Sequence, residues 1–470
     1  MPKSPGTDFT QGNIMRHVTV MSFTSSIGIM AIYVVDLLDI FFVSLLGQTE
    51  VAAAAGFAST IMFYVSAMNI GLSIAAGSLT AQYLGRSDLS AAKDVATTSM
   101  LIALGVGVVV PIAMLPFVPN MLSWLGAQGE VAELATMYLW IVLPASGLSG
   151  MSMALVAALR SHGFAKWSMY PSLAGALINL IFDPLLIFGL NMGLAGAAVA
   201  TVMARVATFG VALYAAVRLF DIVNPPTMDA FRRYTREIVR FTLPAVLASV
   251  ASPIGLSIVT RYITQYGTDA VAGLAIIGRL SPVVFSVVNA LSGAIGPIIG
   301  QNYGAGKHDR VKRAYFDALK FLAIYTGCAI ALLVLFRHPI ADAFNTTGVT
   351  RDIIYLYCGP YAMIAFFNGA IFISNAAYSN LGKPQIAPRI NWLKSTIGLL
   401  PFLAAGSYFF GLYGVAFGIL LNAAAFAALS HVLTMRFIDQ SRHGAPVNID
   451  DDAQVVQNAL AMEHKEPQHT

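Results

Sequence analysis

The sequence has little charge. Of its 470 residues, 11% are Asp, Glu, Lys or Arg, whereas 57% are apolar, and the mean hydropathy is +0.72. A soluble domain carries about 25% charged residues, so this chain cannot cover a water-exposed surface with polar groups. A soluble enzyme and a disordered chain are excluded. A membrane-spanning helix needs about 20 apolar residues, and the apolar content is enough for roughly a dozen such helices.

Cysteine is almost missing as well. Cys328 and Cys358 lie in apolar runs without a Cys-x-x-Cys motif, which excludes a disulfide scaffold and predicts two buried small hydrophobic residues. The eight histidines include no His-x-x-x-His pair, so we expect no metal site. The phosphate-binding pattern Gly-x-x-x-x-Gly-Lys-Ser/Thr is absent, which excludes ATP hydrolysis by this chain as an energy source. We expect no cofactor, no catalysis and no nucleic-acid partner.

Long apolar runs fill most of the chain. Because backbone polar groups must be paired inside a bilayer, each run is predicted to be a helix. The predicted spans are residues 15–46, 51–83, 96–120, 131–159, 167–190, 193–217, 238–264, 270–302, 314–336, 352–380, 385–409 and 411–436. Prolines inside these spans indicate bends: Pro111, Pro144, Pro184, Pro253, Pro282, Pro297, Pro360 and Pro401. The expected fold is an all-α polytopic membrane protein with twelve transmembrane helices.

Positive charge is distributed unevenly between the predicted loops. The loops after the even-numbered spans contain most of it: Arg86, Lys93, Arg160, Lys166, Arg232, Arg233, Arg236, Lys307, Arg310, Lys312, Arg313, Lys383 and Arg389. The opposite loops contain Arg261, Arg337 and Arg351. Lys and Arg concentrate on the cytoplasmic side, so we predict a multi-pass inner-membrane protein with both termini in the cytoplasm. The first apolar run is too long for a cleaved signal peptide and is expected to remain as span one.

The two halves of the chain resemble each other. Motifs recur at a nearly constant displacement of 218 to 220 residues: Gly47–Ala52 with Gly267–Ala272, Gln82-x-x-Gly85 with Gln301-x-x-Gly304, Gly150 and Gly163 with Gly369 and Gly382, and Gly193-x-x-Gly196 with Gly411-x-x-Gly414. Six spans in each half make the repeats parallel, an architecture of secondary transporters with a substrate site between the halves.

The repeat predicts a domain organisation. The predicted parts are a cytoplasmic N-terminal segment (1–14), a first six-helix lobe (15–218), a cytoplasmic linker (219–237), a second six-helix lobe (238–437) and a cytoplasmic tail (438–470).

Acidic side chains fall inside the predicted spans of the first half. An ionisable group at the bilayer centre costs at least about 2.5–3.5 kcal/mol, so each one needs a reason. Asp36 and Asp39 lie three residues apart in span one, and Asp183 lies four residues after Asn179 in span five. The second half does not repeat these residues, since the corresponding positions hold Val259, Gly398 and Phe402.

Two readings of this cluster stay open. Thr201 and, one turn further, Arg205 lie in span six. Carboxyl groups that share a polar cavity can take up a proton or, with an amide and a hydroxyl, bind a sodium ion. Alternatively, an aspartate pairs with Arg205 and only holds helices together. Asp36 by itself is interpreted as a hydrated residue of an outer cavity.

These residues carry a family resemblance. The motifs resemble the multidrug and toxic compound extrusion (MATE) transporters over about residues 15–437: Val35-Asp36-Leu37-Leu38-Asp39-Ile40-Phe41-Phe42-Val43 through Gly47, Gln82-x-x-Gly85, Asn179-x-x-x-Asp183-Pro184, and Gly193-x-x-Gly196 through Thr201. The resemblance implies an antiporter that exports drugs or toxic amphipathic compounds, expected to be cations, in exchange for H⁺ or Na⁺. It places the ion-coupling site of one branch on Asp39, Asn179, Asp183 and Thr201, with Asp36 and Arg205 as possible neighbours of that site.

One position departs from the family pattern. Thr24 stands where that branch usually has a proline in the first helix, whereas the second half has Pro244 at the equivalent place. A coupling mechanism that depends on a proline kink in span one is therefore in doubt.

Two other functions remain as alternatives. A flippase for a lipid-linked saccharide precursor would need a basic cavity, and Arg205, Arg261, Arg279 and Lys394 are its candidates. We otherwise expect Lys394 to extend to the membrane surface. A channel or receptor fits the internal repeat less well. The expected assembly is a monomer in the lipid bilayer that binds small-molecule substrates.

Overall fold

The computed structural model describes residues 6–45, 49–344 and 346–442, without the side chains of residues 40, 41 and 43–45. Within these ranges the chain forms helices and turns and no strand, which confirms the all-α class. Gly47 and the predicted tail from residue 443 onward lie outside the described residues.

Seventeen helices follow one another along the described chain. They are α1 (Ile14–Leu45), α2 (Thr49–Gly85), α3 (Leu89–Met114), α4 (Val118–Leu125), α5 (Gly129–Val142), α6 (Ser146–Ser161), α7 (Ala165–Pro184), α8 (Gly193–Tyr214), α9 (Met228–Ile263), α10 (Thr268–Val284), α11 (Ser286–Gly304), α12 (His308–Leu335), α13 (Arg337–Ala343), α14 (Gly348–Tyr357), α15 (Ile364–Asn380), α16 (Ile386–Ser395) and α17 (Leu399–Arg442). Single π-helical turns extend α7 (Leu185–Gly189) and α8 (Ala215–Leu219).

Nine helical stretches among the described residues are long and apolar enough to cross a membrane, or up to 11 if each bent pair is one span. The bent pairs are α5–α6, with an angle of 50°, and α10–α11, with an angle of 49°. Pro144 lies in the first break and Pro282 lies three residues before the second, as expected for proline-induced bends.

The stretch Ile386–Arg442 is counted as one span although its backbone reverses. Gly411 has φ 58° and ψ −135°, which interrupts α17. A Cβ atom at Gly406 would overlap the carbonyl of Gly414, so the residues before and after Gly411 pack against each other. The predicted boundary between the last two spans lies at this reversal.

Two sequence expectations, the start of α9 and the burial of Cys328, differ in detail from the structure, whereas the uninterrupted α1 agrees with the predicted first span. The helix α9 begins at Met228, inside the predicted linker, because the Thr227 hydroxyl accepts a hydrogen bond from the Ala230 N–H and caps it. The helix α1 is continuous from Ile14 to Leu45. Cys358 is buried as expected, but Cys328 is exposed, because it lies on an outward face of α12.

The backbone repeats the sequence symmetry. Residues displaced by 218 or 219 positions adopt the same left-handed conformation: Gly163 and Gly382 both have φ 78°, Gly129 and Gly348 have φ 54° and 55°, Gly193 and Gly411 have φ 53° and 58°, and Ser87 and Gly306 have φ 62° and 68°. Left-handed backbone is unfavourable for most residues. Its recurrence at matched positions indicates that both halves fold through the same turns.

The two halves meet where the helices end near the loops rich in Lys and Arg, which we call the basic side. There α2 crosses α11 at the repeated Gln-x-x-Gly motif. A Cβ at Gly85 would overlap the Gln301 carbonyl, and a Cβ at Gly304 would overlap the Gln82 carbonyl. The two motifs therefore pack against each other around a local two-fold axis, and the absence of a side chain at both glycines permits the contact.

The N-terminal segment before α1 covers this crossing. The Phe9 N–H donates to Gln301 Oε1 at 2.9 Å, and Arg310 Nη2 donates to the carbonyls of Phe9, at 3.1 Å, and Gln11, at 3.0 Å. On the other half, a Cβ at Gly6 would overlap the His162 carbonyl. The segment thus contacts both halves and closes the basic side.

Candidate functional site

The acidic pair lies between two helices of the first half. Asp39 is near the end of α1, and Asp183 is in the last turn of α7 with 2% of its side chain exposed. The two carboxyl groups lie close enough to each other to share a proton. Two carboxyl groups in contact cannot both stay ionised without a shared proton or a bound cation.

Polar groups of two further helices border this pair. Thr201 on α8 donates to the Ala197 carbonyl at 3.0 Å and lies close to the side chain of Tyr138 on α5. Tyr138 is also close enough to Asp39 and Asp183 for an electrostatic interaction with both carboxyl groups. Asn179 lies one turn before Asp183 on the same face of α7. The structure thus places the predicted residues at the junction of α1, α7 and α8.

Three oxygens at this junction lack partners. Asp39 Oδ1, Asn179 Oδ1 and Asp183 Oδ2 are buried and make no hydrogen bond with any described residue. A buried, unpaired acceptor costs roughly 1–3 kcal/mol, and more when it is charged. The set of carboxylate, amide and hydroxyl oxygens suits a proton or a small hard monovalent cation. In the described part of the chain, no group of three or more His, Cys, Asp or Glu residues could hold a metal ion.

Arg205 does not neutralise the pair. Its Nη1 donates to the Val142 carbonyl at 2.8 Å and to Ser146 Oγ at 3.3 Å, at the break between α5 and α6. Among the described residues, Arg205 forms no ion pair with a carboxylate. Its guanidinium therefore stabilises the bend by pairing a backbone carbonyl that the break leaves free.

Asp36 differs from Asp39. Its side chain is exposed, one turn from Tyr33, whose hydroxyl accepts a hydrogen bond from Asn289 Nδ2 at 3.2 Å. Asp36 lies close enough to Asp39 for a charge interaction, but the structure shows no hydrogen bond between them among the described residues. The interpretation of Asp36 as a hydrated neighbour agrees with this position.

The basic residues considered for a flippase do not share one surface. Arg205 binds the α5–α6 break, Arg261 lines a surface groove beside Tyr262 and Gln265, and Arg279 is exposed on α10. Lys394 does not extend to the surface as expected, because its Nζ donates to Asn368 Oδ1 at 2.6 Å. The basic lining that would favour this alternative is therefore not formed by these four residues.

A cavity of about 400 Å³ lies between the two halves of the chain. Residues of α1, α2 and α6 line one wall, and residues of α9, α11, α15 and α16 line the other. The Gln-x-x-Gly crossing closes it at the basic side. A volume of this size is typical of sites for drug-sized molecules. The acidic pair is not part of its lining, so the ion-coupling candidates and this cavity are separate places in the fold.

Sequence reasoning missed two residues at these places. Tyr138 was one aromatic among many, and only its contact with Thr201 distinguishes it. Arg160 was counted among the loop charges, yet it lines the cavity between the halves. In the sequence, Arg160 lies at the end of a helix that is rich in small residues, and small residues allow close helix packing around a cavity.

This chain is similar to known transport proteins over nearly its whole length. An FAD transporter of Shewanella oneidensis is 27% identical over 444 residues, which is 91% of this chain and 95% of that protein. The multidrug export protein MepA of Staphylococcus aureus is 24% identical over 435 residues, again 91% of this chain and 95% of the relative. These relatives are transporters, which confirms transport rather than catalysis as the class of function.

Solved structures have the same fold. A MOP superfamily transporter from Pyrococcus furiosus has a TM-score of 0.87 at 22% identity, over 94% of this chain and all of that one. An outward-facing multidrug resistance MATE family transporter has a TM-score of 0.87 at 21% identity and the same coverage. The profile of the family described as MatE matches residues 24–185 and again residues 244–404. The two matches have the same displacement as the repeated motifs, and this chain belongs to the MatE family of multi-pass membrane transporters.

Proposed function

We propose that this protein exports drugs and other small amphipathic organic compounds, with the inward movement of H⁺ or Na⁺ as the energy source. The observation that supports this proposal is the buried contact between Asp39 and Asp183, beside the unpaired oxygen of Asn179 and the hydroxyl of Thr201. Such a group is costly inside a membrane unless it binds a positive ion. The Staphylococcus aureus relative, a multidrug export protein, supports a drug as the substrate.

The proposed architecture is twelve spans in two six-helix lobes in the inner membrane, with both termini in the cytoplasm and a monomeric protein. Eleven candidate spans and the reversal at Gly411 support the count of twelve. The matched left-handed turns support two equivalent lobes. The excess of Lys and Arg in the loops on the side of the termini supports the orientation.

Coupling follows from a two-state equilibrium. The structure is closed at the basic side and has a cavity between the halves, and we propose that it represents a state open toward the opposite side. An ion that binds more tightly to one state shifts the equilibrium toward that state, and a substrate does the same. Binding of H⁺ or Na⁺ between α1 and α7 would change how these helices pack, and α1 also packs against α11 of the second half.

The test is dye transport by purified protein in liposomes with independently imposed pH and sodium gradients. We predict that Asp39→Asn abolishes gradient-driven dye transport, because an amide neither ionises nor shares a proton with Asp183. Asp36→Asn is the matched control, since it removes a carboxyl one turn away that is exposed and outside the pair, and it should retain most of the transport.

The same experiment identifies the coupling ion, because one of the two gradients alone should drive transport. Thermal unfolding of both variants verifies that they are folded. Full transport by a folded Asp39→Asn protein would show that the acidic pair is not the coupling site.

A further inference from the structure

The cavity between the halves is lined by equivalent positions of the two repeats. Ser73 and Ser292, Gly77 and Gly296, and Ala157 and Ala376 are pairs displaced by 219 residues, and all six line the cavity. The other polar lining residues are neutral serines, asparagines and a tyrosine. Five further equivalent pairs that line the cavity differ, and only one of these differences introduces a charge. These pairs are Tyr33/Ser252, Ile70/Asn289, Ile74/Gly293, Ser78/Pro297 and Arg160/Ser379.

Arg160 is the difference that introduces a charge. It is at the end of α6 on the first wall, and its equivalent on the second wall is Ser379. Among the described residues that line the cavity, Arg160 is the one with a charge, and no carboxylate accompanies it. Its position in the last turn of α6 places it at the basic-side end of the cavity.

The second half makes room for this side chain. A Cβ atom at Gly293 would lie 2.5 Å from Arg160 Nη1, so the guanidinium rests against the backbone of α11. The residue equivalent to Gly293 in the first half is Ile74, which also lines the cavity. A side chain as large as isoleucine at position 293 would exclude the guanidinium. Arg160 and Gly293 thus both differ from the equivalent residues of the other half.

The donors of Arg160 are free. The side chain makes no hydrogen bond and no ion pair with any residue that the structure describes. A guanidinium has five N–H donors in a planar fork that matches the two oxygens of a carboxylate or the oxygens of a phosphate. A charge that is removed from bulk water without such a partner is unfavourable.

We propose that Arg160 binds an oxyanion of the substrate, a carboxylate or a phosphate, in the cavity between the halves. This inference rests on the proposed export function and assigns organic anions as its substrate class, in contrast to the cations that the family resemblance implies. The neutral serine and asparagine side chains supply further hydrogen bonds, and the remaining apolar lining accommodates the rest of an amphipathic molecule.

The test uses two dyes that have the same ring system but opposite charge. Fluorescein is the anion. Rhodamine 123, whose carboxyl group is a methyl ester, is the cation. Equilibrium binding to the purified protein is measured by fluorescence anisotropy, and transport is measured in liposomes. We expect the wild-type protein to bind fluorescein more tightly than rhodamine 123. Arg160→Gln should weaken fluorescein binding about tenfold or more, the usual effect of losing a hydrogen bond to a charged group, and should not weaken rhodamine 123 binding.

Two variants and one control separate this role from a structural one. Gly293→Ala retains the arginine but displaces its guanidinium, and it should weaken fluorescein binding selectively. Arg160→Lys retains the charge without the fork and should have an intermediate affinity. Arg86→Gln removes an exposed positive charge from the same side of the protein and should leave the binding of both dyes unchanged.

The liposome composition distinguishes a dissolved anion from a lipid headgroup. If phosphatidylglycerol in the liposomes competes with fluorescein for the wild-type protein and not for Arg160→Gln, the oxyanion that reaches Arg160 includes the lipid headgroup. Without competition, it is a dissolved anion.

Some results would contradict the role of Arg160 without contradicting the proposed export function. These are unchanged fluorescein binding by a folded Arg160→Gln protein, equal losses for both dyes, or tighter wild-type binding of rhodamine 123. Conversely, fluorescein binding that depends on Arg160 without any gradient-driven dye transport would support the site and reject the export function.

Discussion

The contact between Asp39 and Asp183 brings together two residues from helices far apart in the sequence. Neither carboxyl pairs with an arginine among the described residues, because Arg205 is already bound to the Val142 carbonyl and Ser146. The structure therefore does not contain the alternative considered from the sequence, an ion pair between an aspartate and Arg205. An acidic pair without a basic partner is what the proposed ion-coupling site requires, since its charge must be balanced by a proton or a bound cation.

A histidine on the basic side gives a prediction about pH. Burial lowers the pKa of His162 to about 4, partly opposed by the hydrogen bond of its Nδ1 with the Ala158 carbonyl at 2.8 Å. The ring is neutral in the folded protein, whereas an unfolded histidine has a pKa of about 6.5. Unfolding therefore takes up a proton below pH 6.5. The free energy of unfolding should decrease as the pH falls from about 6.5 toward 4, by at most about 1.4 kcal/mol per pH unit from this group.

The measurement is thermal unfolding of the detergent-solubilised protein between pH 7.5 and 4.5. His162→Gln should reduce the loss of stability at acidic pH, while His338→Gln, which changes an exposed histidine, should leave the pH dependence as it is. An identical pH dependence for wild type and His162→Gln would contradict the assignment of the effect to burial of this ring.

At the scale of elements, the repeated Gln-x-x-Gly motif has a clear physical role. The helices α2 and α11 approach so closely that Gly85 and Gly304 each face the backbone of the other helix. The repeat in the sequence showed that these motifs are equivalent, but not that they touch. Because equivalent elements of two parallel repeats meet at their common axis, one glycine motif used twice produces a single symmetric crossing.

The crossing gives a second prediction. Gly85→Ala should destabilise the observed conformation by about 1–3 kcal/mol, the usual cost of forcing an extra methyl group into a packed contact, because its Cβ would overlap the Gln301 carbonyl. Gly105→Ala is the matched control, since a Cβ at that helical glycine has no neighbour within 4 Å. It should be neutral or slightly stabilising. Thermal unfolding compares the two variants, and equal stability would show that the crossing is not as tight as described.

At the scale of the whole molecule, closure of the basic side depends on more than helix packing. The segment before α1 contacts the turn at His162 in the first half and Gln301 and Arg310 in the second. Opening of the cavity toward this side must break these hydrogen bonds. The segment therefore stabilises this conformation relative to one that is open at the basic side.

This arrangement gives a third prediction. Arg310→Gln removes the donors that bind the carbonyls of Phe9, Gln11 and Gly12, so the amides of residues 7–12 should exchange with deuterium at least about tenfold faster. Arg313→Gln is the control, because Arg313 is largely exposed and has a long ion pair of 4.0 Å with Asp317. Hydrogen exchange measured by mass spectrometry would count against this role of Arg310 if both variants gave the same protection.

Several properties of this protein were determined by its sequence alone. Low charge and long apolar runs require a helical membrane protein, because hydropathy and backbone pairing are local constraints. The constant displacement between motifs identified the duplication, and the cost of buried charge identified Asp39, Asn179, Asp183 and Thr201 as candidates. The bends were partly predictable, since Pro144 and Pro282 are at or near breaks.

Tertiary structure alone decided which of these groups meet. The contact of Asp39 with Asp183, the position of Tyr138 beside Thr201, and the placement of Arg160 against Gly293 join residues of different helices. Such contacts depend on how helices rotate and cross, and no local pattern encodes that. Composition and periodicity indicate which side chains are unfavourable in a membrane. The packing of the two halves decides which of these side chains share a cavity and which have no partner.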